Sequence, residues 1–441
     1  MITYLKQTGS AIIYFNNEIL WGYIGLFLIL SSIFYLTFRS RFMVIRDFPK
    51  IFQYFLTSSR APKENKFGTS SLKVFFASLG GCIGIGNLAT VAMAIKLGGP
   101  GALFWVCLVS FLGAIVKYAE IFLGLKFRVR NTFRGYDGGP MYFLQKAFPK
   151  LRFLPVLSCV FLCIYGVDIY MFSVVKTSFV HNFSLPTTPV VLMLLALVLV
   201  SVWGGIERVG GISTVLLPVF LVLYAGLSLW MLVEYRDVFP GLLKTVLISA
   251  FTGHGAVGGF VGSTFILTLS KGLSSAAYAS DIGVGFASVL QSEVASDDIQ
   301  KQASLSIFVV FLNTFVVCLC SMLLILVTNV WQLPIMDGGL LIQKALTTSF
   351  KNMSYFMPFF LFLVGYPSLI SSLLVGVKAA RFIHKKWGPR FYYLYAIFSF
   401  VIFSYFSSYY ALIFLVLASG LLNVINMTAI LKLRRDIDFT L

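Results

Sequence analysis

Two glycine-rich stretches contain most of the residues in this sequence whose types and spacing could do chemistry. The first, Leu79–Asn87, has four glycines in seven positions inside an apolar run over about residues 71–97. Each glycine costs a helix roughly 1 kcal/mol relative to alanine. In a bilayer, unwound backbone survives only where protein packs on it or where it lines a cavity. The stretch therefore predicts a ligand site, with five candidate contact residues: Gly81, Cys82, Gly84, Gly86 and Asn87.

The second glycine-rich stretch covers residues 250–262, within the apolar run 246–270. Its candidate contact residues are Phe251, Thr252, Gly258, Gly259 and Phe260. The two phenylalanine rings would close over a short apolar side chain, whereas packing against lipid or core is the alternative for each. For the whole stretch, the alternative is that the glycines only let helices pack closely.

The composition places both stretches in a membrane. The chain has 441 residues, of which 59% are hydrophobic and 11% charged, and its mean hydropathy is +0.91. A soluble domain has about 25% charged residues. The net charge of +18 would suit a nucleic-acid partner, but the basic residues cluster in loops between apolar segments, as membrane topology requires. The sequence predicts an all-α polytopic membrane protein that binds no nucleic acid.

Eleven segments are apolar and long enough to span a bilayer, which takes about 20 residues. They are residues 20–38, 71–97, 101–126, 153–178, 189–204, 212–233, 246–270, 303–328, 355–378, 391–407 and 411–432. The basic loops follow every second segment, beginning with the first, and so lie on one side. By the positive-inside rule this side is the cytoplasm. We expect an integral protein of the plasma (inner) membrane with its N-terminus outside and its C-terminus cytoplasmic.

The two glycine-broken segments occupy matching places in this series. If residues 1–70 form a lead-in, a peripheral helix and a basic loop, ten helices remain in a core of residues 71–441. The broken helices, 71–97 and 246–270, are then the first and sixth of the ten. This pattern predicts a five-plus-five inverted repeat with one extra N-terminal helix, the architecture of many secondary transporters.

Enzyme and channel signatures are missing from the sequence. It contains no HExxH, nucleophile-elbow or P-loop pattern, and no repeated filter loops or charged rings. The six cysteines all fall in apolar runs, which favours neither disulfides nor a metal site. We expect no enzyme activity, no cofactor and no metal other than a coupling sodium ion.

Several motifs in chain order resemble the alanine/glycine:cation symporter family. They are Gly84-Ile85-Gly86-Asn87, Leu97-Gly98-Gly99-Pro100-Gly101-Ala102, Lys117-Tyr118-Ala119-Glu120, Gly138-Gly139-Pro140-Met141-Tyr142, Gly204-Gly205-Ile206-Glu207-Arg208 and Ala250-Phe251-Thr252. The resemblance implies the leucine-transporter type of fold and the joint transport of an amino acid and a cation. It implies sodium-coupled uptake of alanine or glycine by alternating access. A proton-coupled or exchange-type carrier of another small amino acid is the alternative.

Ion and gate residues are expected beside this substrate. Sodium requires oxygen ligands, and we expect Asn87, Thr264 and Asn313 to form one site. Ser368 and Ser371, with carbonyls before Cys82, are candidates for a second site, although a serine in a membrane helix often bonds the carbonyl four residues earlier. The expected gate residues are Lys117, Glu120 and Asp281. Lys117 and Glu120 are spaced to pair on one helix face, and a purely structural pair is the alternative.

Asp168 is the acidic residue that stands out within an apolar segment. Counted from Arg152, it lies roughly 24 Å along its helix at 1.5 Å per residue. A carboxylate at such a depth is costly and is a functional candidate. It would meet a substrate ammonium or carry a proton, while a packed or protonated acid is the alternative. The expected partners are a small neutral amino acid and membrane lipid, with no obligate protein partner.

Overall fold

Helices make up almost the whole of this computed structural model, which describes residues 15–58, 67–132, 135–252, 265–335, 337–405 and 409–441. Within these ranges, β structure is confined to a hairpin and a bridge. In the hairpin, strand β1 (Val129–Arg130) pairs antiparallel with β2 (Tyr136–Asp137). The bridge joins Thr69 and Val294 in parallel.

Helix covers most of the described residues in each of the eleven segments predicted to span the bilayer. The helices that contain them are α1 (Leu26–Arg39, continuing a π-helical Phe15–Gly25), α4 (Ser71–Cys82), α5 (Ile85–Gly98), α6 (Ala102–Lys126), α8 (Phe153–Gly166), α9 (Ile169–Phe183), α10 (Thr187–Trp203), α11 (Gly205–Glu234), α12 (Phe239–Thr252), α13 (Phe265–Ala279), α15 (Ile299–Phe311), α16 (Leu319–Val327), α18 (Met353–Ile383), α19 (Gly388–Tyr405) and α20 (Tyr409–Lys432). Short helices that were not predicted lie between them: α2 (Met43–Arg46), α3 (Phe48–Ser58), α7 (Pro140–Ala147), α14 (Phe286–Gln291) and α17 (Gly338–Ser349).

By length and composition, six helical segments among the described residues can cross a membrane, or seven if one bent pair counts as a span. The other predicted segments include shorter apolar helices such as α10 and α12. The all-helical membrane architecture is therefore confirmed, whereas the number of eleven spans and the inverted repeat stay predictions.

Three of the long segments are interrupted. Helices α4 and α5 are bent by 44° at their break, where Ile83 and Gly84 have extended backbone. Helices α8 and α9 are separated at Val167 and Asp168, and a π-helical turn, Leu312–Cys318, joins α15 to α16. The second glycine-rich stretch falls between α12 and α13, and its residues after Thr252 lie outside the described residues.

Helix α18 lies at the centre of the bundle. It packs on α8, α9, α11 and α4, and 89% of its apolar window is buried, compared with 28% for α11. Helices α5 and α6 pack against α13, and α6 also packs against α15. These contacts surround the break between α4 and α5 with helices from both halves of the sequence.

Candidate substrate and ion site

A small central cavity of about 40 Å³ lies at the break between α4 and α5. All five residues predicted from the first glycine-rich stretch line it: Gly81, Cys82, Gly84, Gly86 and Asn87. Three other predicted residues also line it, namely Asp168, Asp281 and Ser368. The structure therefore brings eight of the candidates, from widely separated helices, around one space.

Two of the glycines are needed for close packing around this cavity. A Cβ atom on Gly81 would lie 1.9 Å from Cε1 of the buried Phe286 ring, and one on Gly84 would lie 2.6 Å from the terminal carbon of Met171. The chain at Gly84 is extended, with φ −139° and ψ 170°. The break therefore leaves helix-terminal backbone groups beside the cavity, where they act as partial charges.

Asn87 and Asn313 come together beside this break. The Nδ2 atom of Asn87 donates to the carbonyl oxygens of Cys82 and Ala279, the latter at 2.7 Å, and to Oδ1 of Asn313 at 3.2 Å. Asn313 in turn donates to the carbonyl of Ala279 at 2.8 Å. Amide and carbonyl oxygens are the ligands that hard cations prefer. Thr264, the third expected member of this group, lies outside the described residues.

The two serines of α18 lie against α4 and the break. Oγ of Ser371 donates to the carbonyl of Ala77 at 2.9 Å. This bond joins two helices, so Ser371 does not bond the carbonyl four residues earlier in its own helix. Oγ of Ser368 lies 3.3 Å from the position of a Cβ on Gly84. Ser371 therefore contacts a backbone carbonyl that precedes Cys82, whereas Ser368 lies beside Gly84. That the two serines bind an ion stays a prediction.

Asp168 sits at the break between α8 and α9, where it caps α9. Its Oδ1 accepts a hydrogen bond from the amide of Met171 at 3.0 Å, which is a stabilising N-cap contact. The carboxylate also lines the central cavity. A break in this helix was not predicted, and it explains how a carboxylate here has both a backbone partner and access to the cavity.

The expected pair between Lys117 and Glu120 is not formed. Nζ of Lys117 instead contacts Oδ2 of Asp281 at 2.8 Å and donates to the Asp281 carbonyl at 2.5 Å. The reason is geometric, because the loop after α13 offers the lysine two acceptors across the helix interface. All three side chains are buried, with Lys117 and Glu120 at 0% exposure. The three residues form one cluster beneath the cavity, with a different partner for the lysine than the sequence suggested.

The residues predicted from the second glycine-rich stretch are not brought to the cavity where the structure describes them. Phe251 is 58% exposed, and its ring packs on Phe104 and Trp105 at centroid distances of 5.3 and 5.8 Å. Thr252 donates to the carbonyl of Ile248 at 2.7 Å. The last turn of α12 faces α6, so neither side chain points to the break between α4 and α5. The remaining candidates, Gly258, Gly259 and Phe260, lie outside the described residues.

A larger cavity of about 470 Å³ adjoins the central one. Gly86, Tyr170 and Tyr278 line both cavities, so these residues form the partition between them. Lys271 and Asp337 line the larger cavity. The sequence analysis missed both tyrosines, although each lies within three residues of a singled-out acid, Asp168 or Asp281.

A second buried ionic cluster also went unpredicted. Nζ of Lys378 contacts Oε1 of Glu293 at 2.6 Å and Oδ1 of Asp137 at 3.3 Å. The lysine side chain is 4% exposed and the Glu293 side chain 12%. Next to it, the amide of Thr69 donates to the Glu293 carbonyl at 2.9 Å. The cluster therefore ties α18 to the hairpin and to the segment before α4.

Broken membrane helices around a small cavity with polar walls define the class of secondary transporters. The model of the sodium:alanine symporter family matches residues 6–438, and the chain belongs to this family. It is thus a membrane transporter of the sodium-coupled amino-acid symporter type and not an enzyme.

Relatives that are named as sodium-coupled symporters agree with this family. The sodium/alanine symporter AgcS of Methanococcus maripaludis is 28% identical over 325 residues, which cover 72% of this chain and 70% of AgcS. The probable sodium/glutamine symporter GlnT of Bacillus subtilis is 25% identical over 436 residues, which cover 98% and 90%. A mutant of the Eremococcus coleocola manganese transporter shares the fold, with a TM-score of 0.50 and 16% identity over 81% of this chain and 74% of that chain.

Proposed function

We propose that this chain carries a small neutral amino acid, alanine or glycine, into the cell together with sodium by alternating access. The central cavity at the break between α4 and α5 carries this proposal, because it combines helix-end backbone groups with the carboxylate of Asp168. We place the N-terminus outside and the C-terminus in the cytoplasm of a plasma membrane, from the positions of the basic loops.

The two charged ends of an amino acid find matching groups in this cavity. The start of α5, at Ile85 and Gly86, presents backbone N–H groups that favour a carboxylate. The end of α4 at Cys82 presents carbonyls, and Asp168 presents a carboxylate, for the ammonium. The cavity measures about 40 Å³ and is bounded by Met171 and Tyr278. Such a space favours a substrate side chain no larger than a methyl group.

Sodium is assigned to the two groups of oxygens beside the cavity. The first contains the side-chain oxygens of Asn87 and Asn313 and the Cys82 and Ala279 carbonyls. Both carbonyls and Oδ1 of Asn313 already converge on Nδ2 of Asn87. The second contains Ser371 and Ser368 with the carbonyls of α4. Both groups touch the break, so a sodium ion in either would fix its shape for the substrate. In this scheme the contact between Lys117 and Asp281 closes the cavity on the side opposite the two groups of sodium ligands.

Reconstituted transport tests the proposal. The full chain is placed in proteoliposomes, and uptake of labelled alanine, glycine and glutamine is measured with an inward sodium gradient or with potassium replacing sodium. We expect alanine or glycine to accumulate above equilibrium only with sodium, and glutamine to be excluded by its size. Uptake driven by a pH gradient without sodium would overturn the coupling claim and favour the proton-coupled alternative.

A pair of tryptophan variants tests the place of the site. Cys82→Trp fills the central cavity, because Cys82 is 3% exposed and lines it. Val222→Trp adds an indole on α11 at a side chain that is 73% exposed. We expect the first variant to lose uptake and the second to keep it at equal protein level. Normal transport by Cys82→Trp would count against the central cavity as the substrate site.

A further inference from the structure

The buried cluster beneath the cavity holds two acids but only one base. Lys117 contacts Asp281 through both its carboxylate and its carbonyl. Glu120, one helical turn from Lys117, has no hydrogen-bond partner for either carboxyl oxygen among the described residues, although both oxygens are buried. The backbone N–H groups of Gly285 and Ser288 face its carboxyl group but do not meet hydrogen-bond geometry. Lys117 therefore forms an ion pair with Asp281 and not with Glu120.

A charged Glu120 in this position would be an anion without a salt-bridge contact in a low-dielectric interior, faced only by two backbone N–H groups among the contacts described for it. Such a charge is strongly destabilising unless it is paired, and a buried acid without a pair takes a proton instead. A neutral Glu120 leaves the cluster with one positive and one negative charge, which are in contact. The geometry thus favours a protonated Glu120 as long as Lys117 stays on Asp281.

Asp281 connects this cluster to the substrate. It lines the central cavity together with Asp168, so an ammonium group held between these two acids competes with Lys117 for Asp281. The lysine, once displaced, has Glu120 within reach on its own helix, three residues away.

We propose that Glu120 binds a proton in the empty carrier and releases it when the ammonium of a bound amino acid replaces Lys117 at Asp281. This inference rests on the proposed function. The charges balance, because the ammonium pairs with Asp281, Lys117 pairs with the newly ionised Glu120, and one proton passes from the Glu120 O–H bond to bulk water. Binding of the substrate is then coupled to loss of a proton at a site that the substrate does not touch.

The other groups that face this cluster do not replace Glu120 as the source of the released proton. Lys117 and Asp281 are the charged side chains that act on it. The Cys82 thiol, from α4, faces Lys117, and the Tyr165 hydroxyl, from α8, faces Asp281. On α20, the amides of Asn423 and Asn426 hold the carbonyls of Ile282 and Val284 and do not titrate.

Proton release on binding is the direct test. The purified full chain in weakly buffered detergent solution with saturating sodium is mixed with alanine, or with whichever amino acid the uptake assay identifies, and a pH indicator is followed. We expect about one proton to be released per bound amino acid. The dissociation constant for the amino acid should fall by up to about tenfold for each unit by which the pH rises through the titration of Glu120. Sodium-driven uptake without proton release overturns this inference alone, whereas absence of any amino-acid uptake overturns the proposed function and this inference with it.

Three variants assign the proton. Glu120→Gln should release none and should bind with an affinity independent of pH, while Glu120→Asp should restore release. Asp168→Asn removes the other cavity acid as a matched control, and it should bind more weakly but still release the proton. Proton release by Glu120→Gln would overturn the assignment of the proton to Glu120. A loss of proton release in Asp168→Asn alone would overturn it as well. If Glu120→Gln does not fold, binding without release by the unmodified chain still overturns it, and a shifted pH dependence in Glu120→Asp supports it.

Discussion

Replacing Gly81 with alanine should destabilise the protein through a single contact. The new Cβ would lie 1.9 Å from the Phe286 ring, while ordinary contact begins at 3.4 Å, so the ring or the helix must move by about 1.5 Å. Phe286 is 1% exposed, so its ring can move only by displacing the groups packed on it. Overpacking of this kind costs up to about 3 kcal/mol, and alanine returns about 1 kcal/mol of helix propensity. We expect a net loss of about 2 kcal/mol in the free energy of unfolding.

Unfolding in sodium dodecyl sulfate, followed by circular dichroism, measures this loss. Gly226→Ala is the matched control, because a Cβ on Gly226 in α11 meets nothing within 4 Å, and it should stabilise by about 1 kcal/mol or less. Replacing the ring by a smaller side chain, with Phe286→Leu in the Gly81→Ala background, should recover stability. The double variant should be more stable by at least about 1 kcal/mol than the sum of the two single changes predicts. A Gly81→Ala chain as stable as the unmodified one would refute the packing argument.

Three further changes test other parts of the structure. Lys378→Met removes the cation that Glu293 and Asp137 share, at side chains 12% and 17% exposed, and should cost about 3 kcal/mol of unfolding free energy. Glu293→Gln added to it should recover part of this loss, and additive effects would contradict the pairing. Asp168→Asn removes a charge-assisted hydrogen bond to the ammonium, worth about 1.5–3 kcal/mol, so the KM for alanine should rise roughly 10- to 100-fold, and an unchanged KM would argue against this contact. The hydrogen bond from Arg46 holds the pKa of Asp47 below its usual range. The ion pair therefore stabilises the folded state above about pH 4, and this stabilisation is lost as the pH falls through the lowered pKa. In thermal unfolding scans at a series of pH values from about 4 downward, Asp47→Asn should lack this acid-dependent loss.

The sequence predicts the local features of this fold well and the contacts between distant segments poorly. Apolar length places the helices, and the glycines around Gly84 place the break, because both signals lie in adjacent residues. The partner of Lys117 could not be found in this way. Spacing along one helix suggests Glu120, whereas Asp281 is 164 residues away and reaches the lysine only through packing of α6 against the loop after α13. The same limit explains why the prediction for Phe251 failed. The direction of its side chain depends on which helix the last turn of α12 faces, and the sequence does not show this.

Charge in the cavity leads to a final prediction about transport. In the empty carrier Lys117 balances Asp281 and Glu120 is protonated, so Asp168 leaves the site with one negative charge. A zwitterion adds no net charge, two sodium ions add two positive charges, and the released proton removes one, which makes the filled site neutral. If the proton returns from the other side, each cycle carries one net positive charge inward.

An inside-negative potential should therefore accelerate uptake. A potassium gradient with valinomycin imposes this potential on proteoliposomes at fixed sodium and pH, and initial rates of alanine uptake are compared with those at zero potential. Moving one charge through 100 mV is worth about 2.3 kcal/mol, so the effect should be several-fold where the charge-moving step limits the rate. Uptake that does not respond to the potential in either direction would contradict the charge count and would require one sodium ion for each released proton.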